Sequence, residues 1–97
     1  MITSKQRAKL RGMANTLDAI LHVGKGGIND TLIEQADGVL RTRELIKAST
    51  LETSPLTARE AANILSEACG AEIVQVIGGK FVLYKKNEKE PKIKLGK

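Results

Sequence analysis

The residues best suited to bind a ligand form a short glycine-rich segment, Gly24-Lys25-Gly26-Gly27. Glycine lets the backbone take positive φ and approach a ligand closely, and a lysine side chain supplies a mobile positive charge with three donors. The segment lies between an apolar run that ends at Val23 and a helical pattern that begins near Ile28. The free N–H groups and the positive dipole end of that helix would point at the same place. The pattern predicts a phosphate-binding loop, although a plain turn between a strand and a helix fits the same residues.

Other kinds of chemistry have few candidate residues. The nucleotide motifs G-x-x-x-x-G-K-[ST] and G-x-G-x-x-G are absent, because the glycines of this segment are too closely spaced. His22 and Cys69 are the only histidine and cysteine, so a zinc cluster or a Cys/His catalytic pair is not expected. We therefore expect no metal, no cofactor, no small-molecule substrate and no enzymatic activity. An enzyme acting on a phosphate ligand remains an alternative, with His22 as its one general acid or base.

The aromatic residues bear on how a nucleic acid could be recognised. Phe81 and Tyr84 are the only two, so the sheet cannot offer paired stacking platforms for bases. Recognition should rest on backbone and shape. The Gly-x-x-Gly spacing of Gly24 to Gly27 is the one with which KH domains clamp a nucleotide backbone, but the KH loop joins two helices and this segment follows a strand.

Composition and charge limit the kinds of protein that this chain could be. A chain of 97 residues makes one domain, and its net charge of +5 with a pI near 9.6 favours a polyanionic partner. The excess positive charge lies at the two ends, in residues 1–12 and 85–97. No apolar run approaches the roughly 18 residues of a membrane span, and the first residues lack the apolar core of a signal peptide. With a single cysteine, these features predict a cytoplasmic protein that does not associate with a membrane.

Local signals predict three helices. Thr3 and Gln6 form a capping box for a helix from Ser4 to Thr16, and Asn29 is a candidate N-cap for a second helix. Thr57 and Glu60 repeat the capping box for a third helix, which should end at Gly70.

Four short β-rich runs separate and follow these helices, at Ala19–Val23, Glu44–Ser49, Ile73–Ile77 and Phe81–Tyr84. The last two should form a hairpin around Gly78-Gly79-Lys80. The order predicts an α/β fold, a four-stranded mixed sheet with three helices packed on it. Residues 86–97 are expected to form a basic, extended tail.

Several segments together resemble the bacterial YhbY-like proteins, which are stand-alone members of the CRM (chloroplast RNA splicing and ribosome maturation) domain family. The resemblance covers nearly the whole chain. It rests on these segments: Thr3-Ser4-Lys5-Gln6-Arg7 with Leu10-Arg11, Val23-Gly24-Lys25-Gly26-Gly27, Glu44-Leu45-Ile46-Lys47, Ala68-Cys69-Gly70-Ala71-Glu72 with Val74-Gln75-Val76-Ile77-Gly78, Val82-Leu83-Tyr84-Lys85, and Pro91-Lys92-Ile93.

The resemblance implies a fold similar to the C-terminal domain of translation initiation factor three, with residues 1–97 as a single domain. It also implies association with ribosomal RNA in precursors of the large ribosomal subunit, and it marks Gly24 to Gly27 as the RNA-contacting loop.

We therefore expect a non-catalytic RNA-binding protein. Gly24, Gly26 and Gly27 should allow close backbone approach, and Lys25 should contact phosphate. Six further basic residues are expected to extend the positive surface: Lys5, Arg7, Arg11, Arg41, Arg43 and Lys47. The alternative is a protein-interaction module that docks on a ribosomal protein or assembly factor through the apolar and basic surface of the first helix.

Overall fold

The computed structural model describes residues 2–87 and Ile93. Helices and strands alternate in the predicted order. The elements are α1 (Ser4–Ala14), β1 (Ala19–Val23), α2 (Asp30–Arg43), β2 (Leu45–Thr50), α3 (Ala58–Cys69), β3 (Glu72–Ile77) and β4 (Lys80–Tyr84).

The four strands form one mixed sheet in the order β1-β2-β4-β3. β1 pairs with β2 in parallel, and β4 pairs antiparallel with both β2 and β3. It follows that β1, β2 and β3 run in the same direction and end at the same edge of the sheet, here called the carboxyl edge. The predicted α/β fold with a mixed sheet is confirmed.

Both faces of the sheet are covered by helices. On one face α2 and α3 enclose the larger core, which includes Leu40, Leu65 and Phe81. On the other face, here called the α1 face, Leu10 and Ala14 of α1 pack with Leu45, Val74, Val82 and Tyr84. Because Leu45 and Val74 lie in the first half of their strands, α1 covers the part of this face that is remote from the carboxyl edge.

The capping signals in the sequence are confirmed. Thr3 and Gln6 form both bonds of a capping box, as do Thr57 and Glu60, and Asn29 caps α2. Gly70 ends α3 in the left-handed conformation, as expected. α1 ends at Ala14 rather than at Thr16, because the chain turns there to enter β1.

A buried glutamate ends α2. Glu44 is fully buried and has a φ of 62°, an uncommon value for a residue other than glycine. Its carboxylate oxygens accept hydrogen bonds from the backbone N–H groups of Asn87 and Ile93, at 2.8 Å each. Glu44 thus ties the chain that follows β4 to the end of α2. Apart from Lys86, Asn87 and Ile93, the predicted basic tail lies outside the described residues.

Among the helices of the described chain, α2 is the longest at 14 residues. Within residues 2–87, no helix has the length and apolar content needed to cross a membrane.

Candidate functional site

The glycine-rich segment forms a tight turn at the carboxyl edge. The N–H of Gly27 donates to the carbonyl oxygen of Gly24 at 2.9 Å, which places Lys25 and Gly26 at the tip. Both tip residues are exposed. Gly27 has a φ of +65°, a conformation that glycine adopts without strain. A Cβ added to Gly26 would meet no atom within 4 Å, so the space beside the tip is open to a ligand.

The loop that follows β2, residues 51–55, packs against this turn. The carbonyl oxygen of Val23 accepts a hydrogen bond from Leu51 N–H at 2.8 Å. A Cβ on Gly24 would lie 3.5 Å from the Leu51 side chain, and one on Gly27 would lie 3.5 Å from Pro55. The inner glycines therefore pack against residues 51–55, while Gly26 faces outward.

Two helix N-termini lie at the same edge, because α2 follows β1 and α3 follows β2. Asn29 Oδ1 accepts from Leu32 N–H at 2.9 Å, which satisfies one of the free donors of α2. The positive dipole end of α2 still lies one short connection beyond the turn, where it favours a negative ligand.

Basic side chains also collect at the carboxyl edge. Lys25 and Lys80 are exposed there, and Arg59 is exposed in the first turn of α3. Exposed Glu52 contributes an acidic group on the neighbouring loop. His22 is exposed and pairs in register with Ser49, so its side chain lies on the surface.

The structure separates two of the predicted basic residues from the turn. Arg41 and Arg43 lie in the last turn of α2. A helix of 14 residues is roughly 21 Å long, so these side chains are at the opposite edge of the sheet. Arg41 forms an ion pair with Asp37 at 2.7 Å, and Lys85 approaches the same carboxylate at 3.5 Å.

The basic residues of α1 differ in exposure. Lys5 and Arg11 are exposed, whereas Arg7 is half-buried. The Nε of Arg7 is buried and has no hydrogen-bond partner among the described residues. Lys5 and Arg11 thus present their charge to solvent, while part of the Arg7 guanidinium is covered by protein.

Lys47 lies on the part of the α1 face that α1 leaves uncovered. It lines a cavity of about 130 Å³ together with Asn15, Gln75, Ile77, Lys80 and Val82. Lys47 was predicted from sequence as a site residue, but Lys80, Gln75 and Asn15 were not. No sequence signal indicated that they meet, because β4 lies between β2 and β3 in the sheet.

The single cysteine of the chain lies in the core and not at this site. Burial raises the pKa of the Cys69 thiol, and the nearby Asp37 carboxylate raises it further. Cys69 packs in the core between α2, α3 and the sheet. No group of three histidine, cysteine, aspartate or glutamate side chains within this part of the chain could hold a metal ion. What the site offers is an open turn, exposed ammonium groups and backbone N–H donors.

Comparisons with known proteins agree with these features. Residues 2–85 match the model of the CRS1 / YhbY (CRM) domain family. The Bacillus subtilis protein named "Probable RNA-binding protein YqeI" is 40% identical over 95 residues, which cover 98% of this chain and 99% of that protein. A Haemophilus influenzae protein named "RNA-binding protein" is 30% identical, over 97% of this chain and 94% of its own length.

A solved structure is also similar along its whole length. The solution structure of the protein SAV1595 from Staphylococcus aureus has a TM-score of 0.82 and 43% sequence identity, and the match covers 99% of this chain and 100% of that one. The resemblance seen in the sequence is thus confirmed, and the chain belongs to the CRS1 / YhbY (CRM) domain family.

Proposed function

We propose that this protein binds RNA through the turn formed by Gly24 to Gly27. The observation that carries the proposal is the shape of this turn, in which exposed Lys25 stands beside open space at Gly26. A sugar-phosphate backbone can approach the glycines closely, and the lysine ammonium can pair with a phosphate. The names of the relatives from Bacillus subtilis and Haemophilus influenzae, both described as RNA-binding proteins, support the same partner.

The RNA is ribosomal, and the protein acts in the cytoplasm on precursors of the large ribosomal subunit during ribosome assembly. It acts by binding and not by catalysis. The sequence resemblance to stand-alone bacterial CRM proteins supports this role. So does the charge of the chain, since a net +5 with exposed lysines suits a highly anionic, structured RNA.

The alternative of protein docking through α1 is less well supported. That interpretation needs the apolar stripe of the helix to be available. Leu10 and Ala14 are instead buried against the sheet, and Ile2 and Leu17 pack beside them. Met13 alone among the large apolar side chains of the α1 helix is exposed. A helix with one exposed methionine offers little apolar surface for a partner.

Crosslinking in cells followed by sequencing of the attached RNA tests the proposal. Wild type should crosslink to ribosomal RNA of the large subunit. Lys25→Ala should reduce these crosslinks, and Gly26→Val should reduce them further because its side chain fills the space that the RNA backbone would occupy.

Lys86→Ala is the matched control, since it removes the same charge from an exposed site remote from the turn. Equal loss in Lys86→Ala and Lys25→Ala would move the contact to the basic ends of the chain. Recovery of no ribosomal RNA by wild type would overturn the proposed function.

A further inference from the structure

The α1 face carries an open cavity close to the carboxyl edge, where α1 does not cover the sheet. Lys47 of β2, Gln75 and Ile77 of β3, and Lys80 and Val82 of β4 line it, and Asn15 at the end of α1 closes one side. Its volume is about 130 Å³. A cavity of roughly 150 Å³ holds a benzene molecule, so this open cavity takes one ring of a nucleotide base while the rest of the base lies at its opening.

Strand pairing explains why these side chains converge. Lys47 pairs in register with Val82, and Val82 pairs with Gln75 on its other side. Residues paired in this way point to the same face of the sheet. Ile77 pairs with Lys80 one step nearer the carboxyl edge. The result is an apolar floor with amides and ammonium groups around it.

The polar groups of the cavity are available to a ligand. Within residues 2–87, no hydrogen bond or ion pair engages the side-chain amides of Gln75 and Asn15 or the ammonium groups of Lys47 and Lys80. Ile77 is 61% exposed, an unusual degree for isoleucine, and it lines the cavity. Two ammonium groups beside an apolar surface and two free amides match a nucleotide, which combines phosphate, a flat ring and hydrogen-bonding edges.

We propose that this cavity binds one unpaired purine nucleotide of the RNA, with the five-membered ring that carries N7 inside the cavity. The proposal rests on the proposed function and adds base selectivity to it. Gln75 and Asn15 hydrogen-bond the edge of the base that carries N7, Ile77 and Val82 contact its face, and Lys47 and Lys80 pair with the flanking phosphates. Amides of this kind pair with N6 and N7 of adenine, and their NH2 groups can also donate to N7 or O6 of guanine. Both purines have the N7 acceptor and pyrimidines lack it.

The position of the cavity fits one RNA strand that contacts both sites. β4 lies two strands from β1, so the cavity is roughly 10 Å across the sheet from the turn that follows β1. A strand whose backbone is bound at Lys25 and Gly26 can place a neighbouring unpaired base over Ile77. The turn then contributes affinity for RNA of any sequence, and the cavity adds a preference for a purine at one position.

Binding of uridine hexanucleotides with one adenosine, guanosine or cytidine at each position in turn tests this assignment. Wild type should bind a purine at one position roughly tenfold more tightly than a pyrimidine, as expected for one good pairing. Replacing that purine by its 7-deaza analogue should abolish the preference. Equal binding of all four bases, or a preference for pyrimidine, would overturn the proposal.

Two variants separate this inference from the function on which it rests. Gln75→Leu removes the side-chain amide and keeps a side chain of similar size. This variant should lose the purine preference while still binding uridine hexanucleotides. Gln35→Leu, at an exposed site on α2, is its control and should leave the preference unchanged. Lys25→Ala should weaken binding of every hexanucleotide by a similar factor and leave the preference intact. Failure of wild type to bind any RNA would contradict the proposed function itself, whereas unselective binding would contradict the cavity alone.

Discussion

The backbone N–H of Leu51 donates a hydrogen bond of 2.8 Å to the carbonyl oxygen of Val23, the last residue of β1. This bond continues the pairing of β1 and β2 beyond the end of the sheet and fixes the loop after β2 beneath the turn of Gly24 to Gly27. A turn held in this way keeps its shape before a ligand arrives, so less conformational entropy is lost on binding.

The charge of Lys25 should set part of the salt dependence of RNA binding. Lys25→Ala should lower affinity by a similar factor for RNAs of different sequence, because a phosphate contact carries no sequence information. The slope of log K against log salt should fall by about 1. Filter binding or fluorescence anisotropy over a range of salt concentrations measures both quantities. An unchanged slope would mean that Lys25 does not contact phosphate.

Two glycines of the turn should respond differently to substitution. Gly26→Val should leave the free energy of unfolding nearly unchanged, because a Cβ at this position meets no atom within 4 Å and φ is not positive. The same variant should bind RNA poorly. Gly27→Ala should cost about 1–2 kcal/mol of stability, because its φ of +65° is strained for a residue with a Cβ.

Urea unfolding followed by circular dichroism measures these stabilities. Gly38→Ala is the control for both variants, since Gly38 lies exposed within α2 with no atom near its missing Cβ. It should raise stability by roughly 0.5–1 kcal/mol without affecting RNA binding. A large loss of stability in Gly26→Val would remove that variant as evidence about the RNA interface.

The sequence was sufficient to predict local structure, because the signals for it are local. Each capping box joins residues three apart, and Gly70 ends α3 through its own backbone preference. The cavity on the α1 face could not be predicted in this way. It depends on β4 inserting between β2 and β3, and this order is set by packing of the whole sheet.

Glu44 is another feature that sequence reasoning missed. A residue with positive φ at a helix end is usually glycine, and a glutamate inside the pattern Glu44-Leu45-Ile46 was expected to begin a strand. The contacts that justify its burial come from Asn87 and Ile93, more than 40 residues later in the chain. Long-range hydrogen bonds of this kind leave no periodic signal.

The Glu44 carboxylate should matter for stability and not for RNA binding. Glu44→Ala should lower the free energy of unfolding by about 2–4 kcal/mol, because it leaves the N–H groups of Asn87 and Ile93 without their acceptor. Glu44→Gln keeps one acceptor oxygen, so its free energy of unfolding should fall by less than that of Glu44→Ala. Chemical unfolding measures both, and RNA affinity under folding conditions should equal that of wild type. A loss of unfolding free energy below about 0.5 kcal/mol in Glu44→Ala is the usual size for a surface substitution. It would show that the hydrogen bonds from Asn87 and Ile93 to Glu44 contribute little to stability.

Alkaline pH should destabilise the fold in two stages. Burial raises the pKa of the Cys69 thiol above its usual value of 9.0, with Asp37 adding to the shift. Burial also raises the pKa of the Tyr84 hydroxyl above 10.0, with a further contribution from Glu44. A raised pKa means that the unfolded chain loses these protons first. Stability is therefore complete below pH 9 and falls as the pH rises through the pKa values of the folded state.

The variants Cys69→Ala and Tyr84→Phe assign these stages. Melting temperatures measured between pH 7 and pH 11 should decline later in Cys69→Ala than in wild type, and less steeply above pH 10 in Tyr84→Phe. The shape of each profile is compared, because either substitution can also shift stability at all pH values. A decline of identical shape in all three proteins would assign the alkaline transition to other groups.

Arg41 and Arg43 lie far from the turn, at the other end of α2. If they bind RNA as predicted, their contribution should depend on the length of the RNA. An RNA of about four nucleotides, the length that a Gly-x-x-Gly loop clamps, is held entirely at the turn and leaves no nucleotide to contact the end of α2. Its affinity should fall in Lys25→Ala and stay constant in the double variant Arg41→Ala/Arg43→Ala. A structured RNA long enough to contact both edges should lose affinity in both proteins, and its salt dependence should weaken in each. If the double variant binds long RNA as tightly as wild type does, Arg41 and Arg43 lie outside the RNA interface, and the contact is confined to the carboxyl edge and the α1 face.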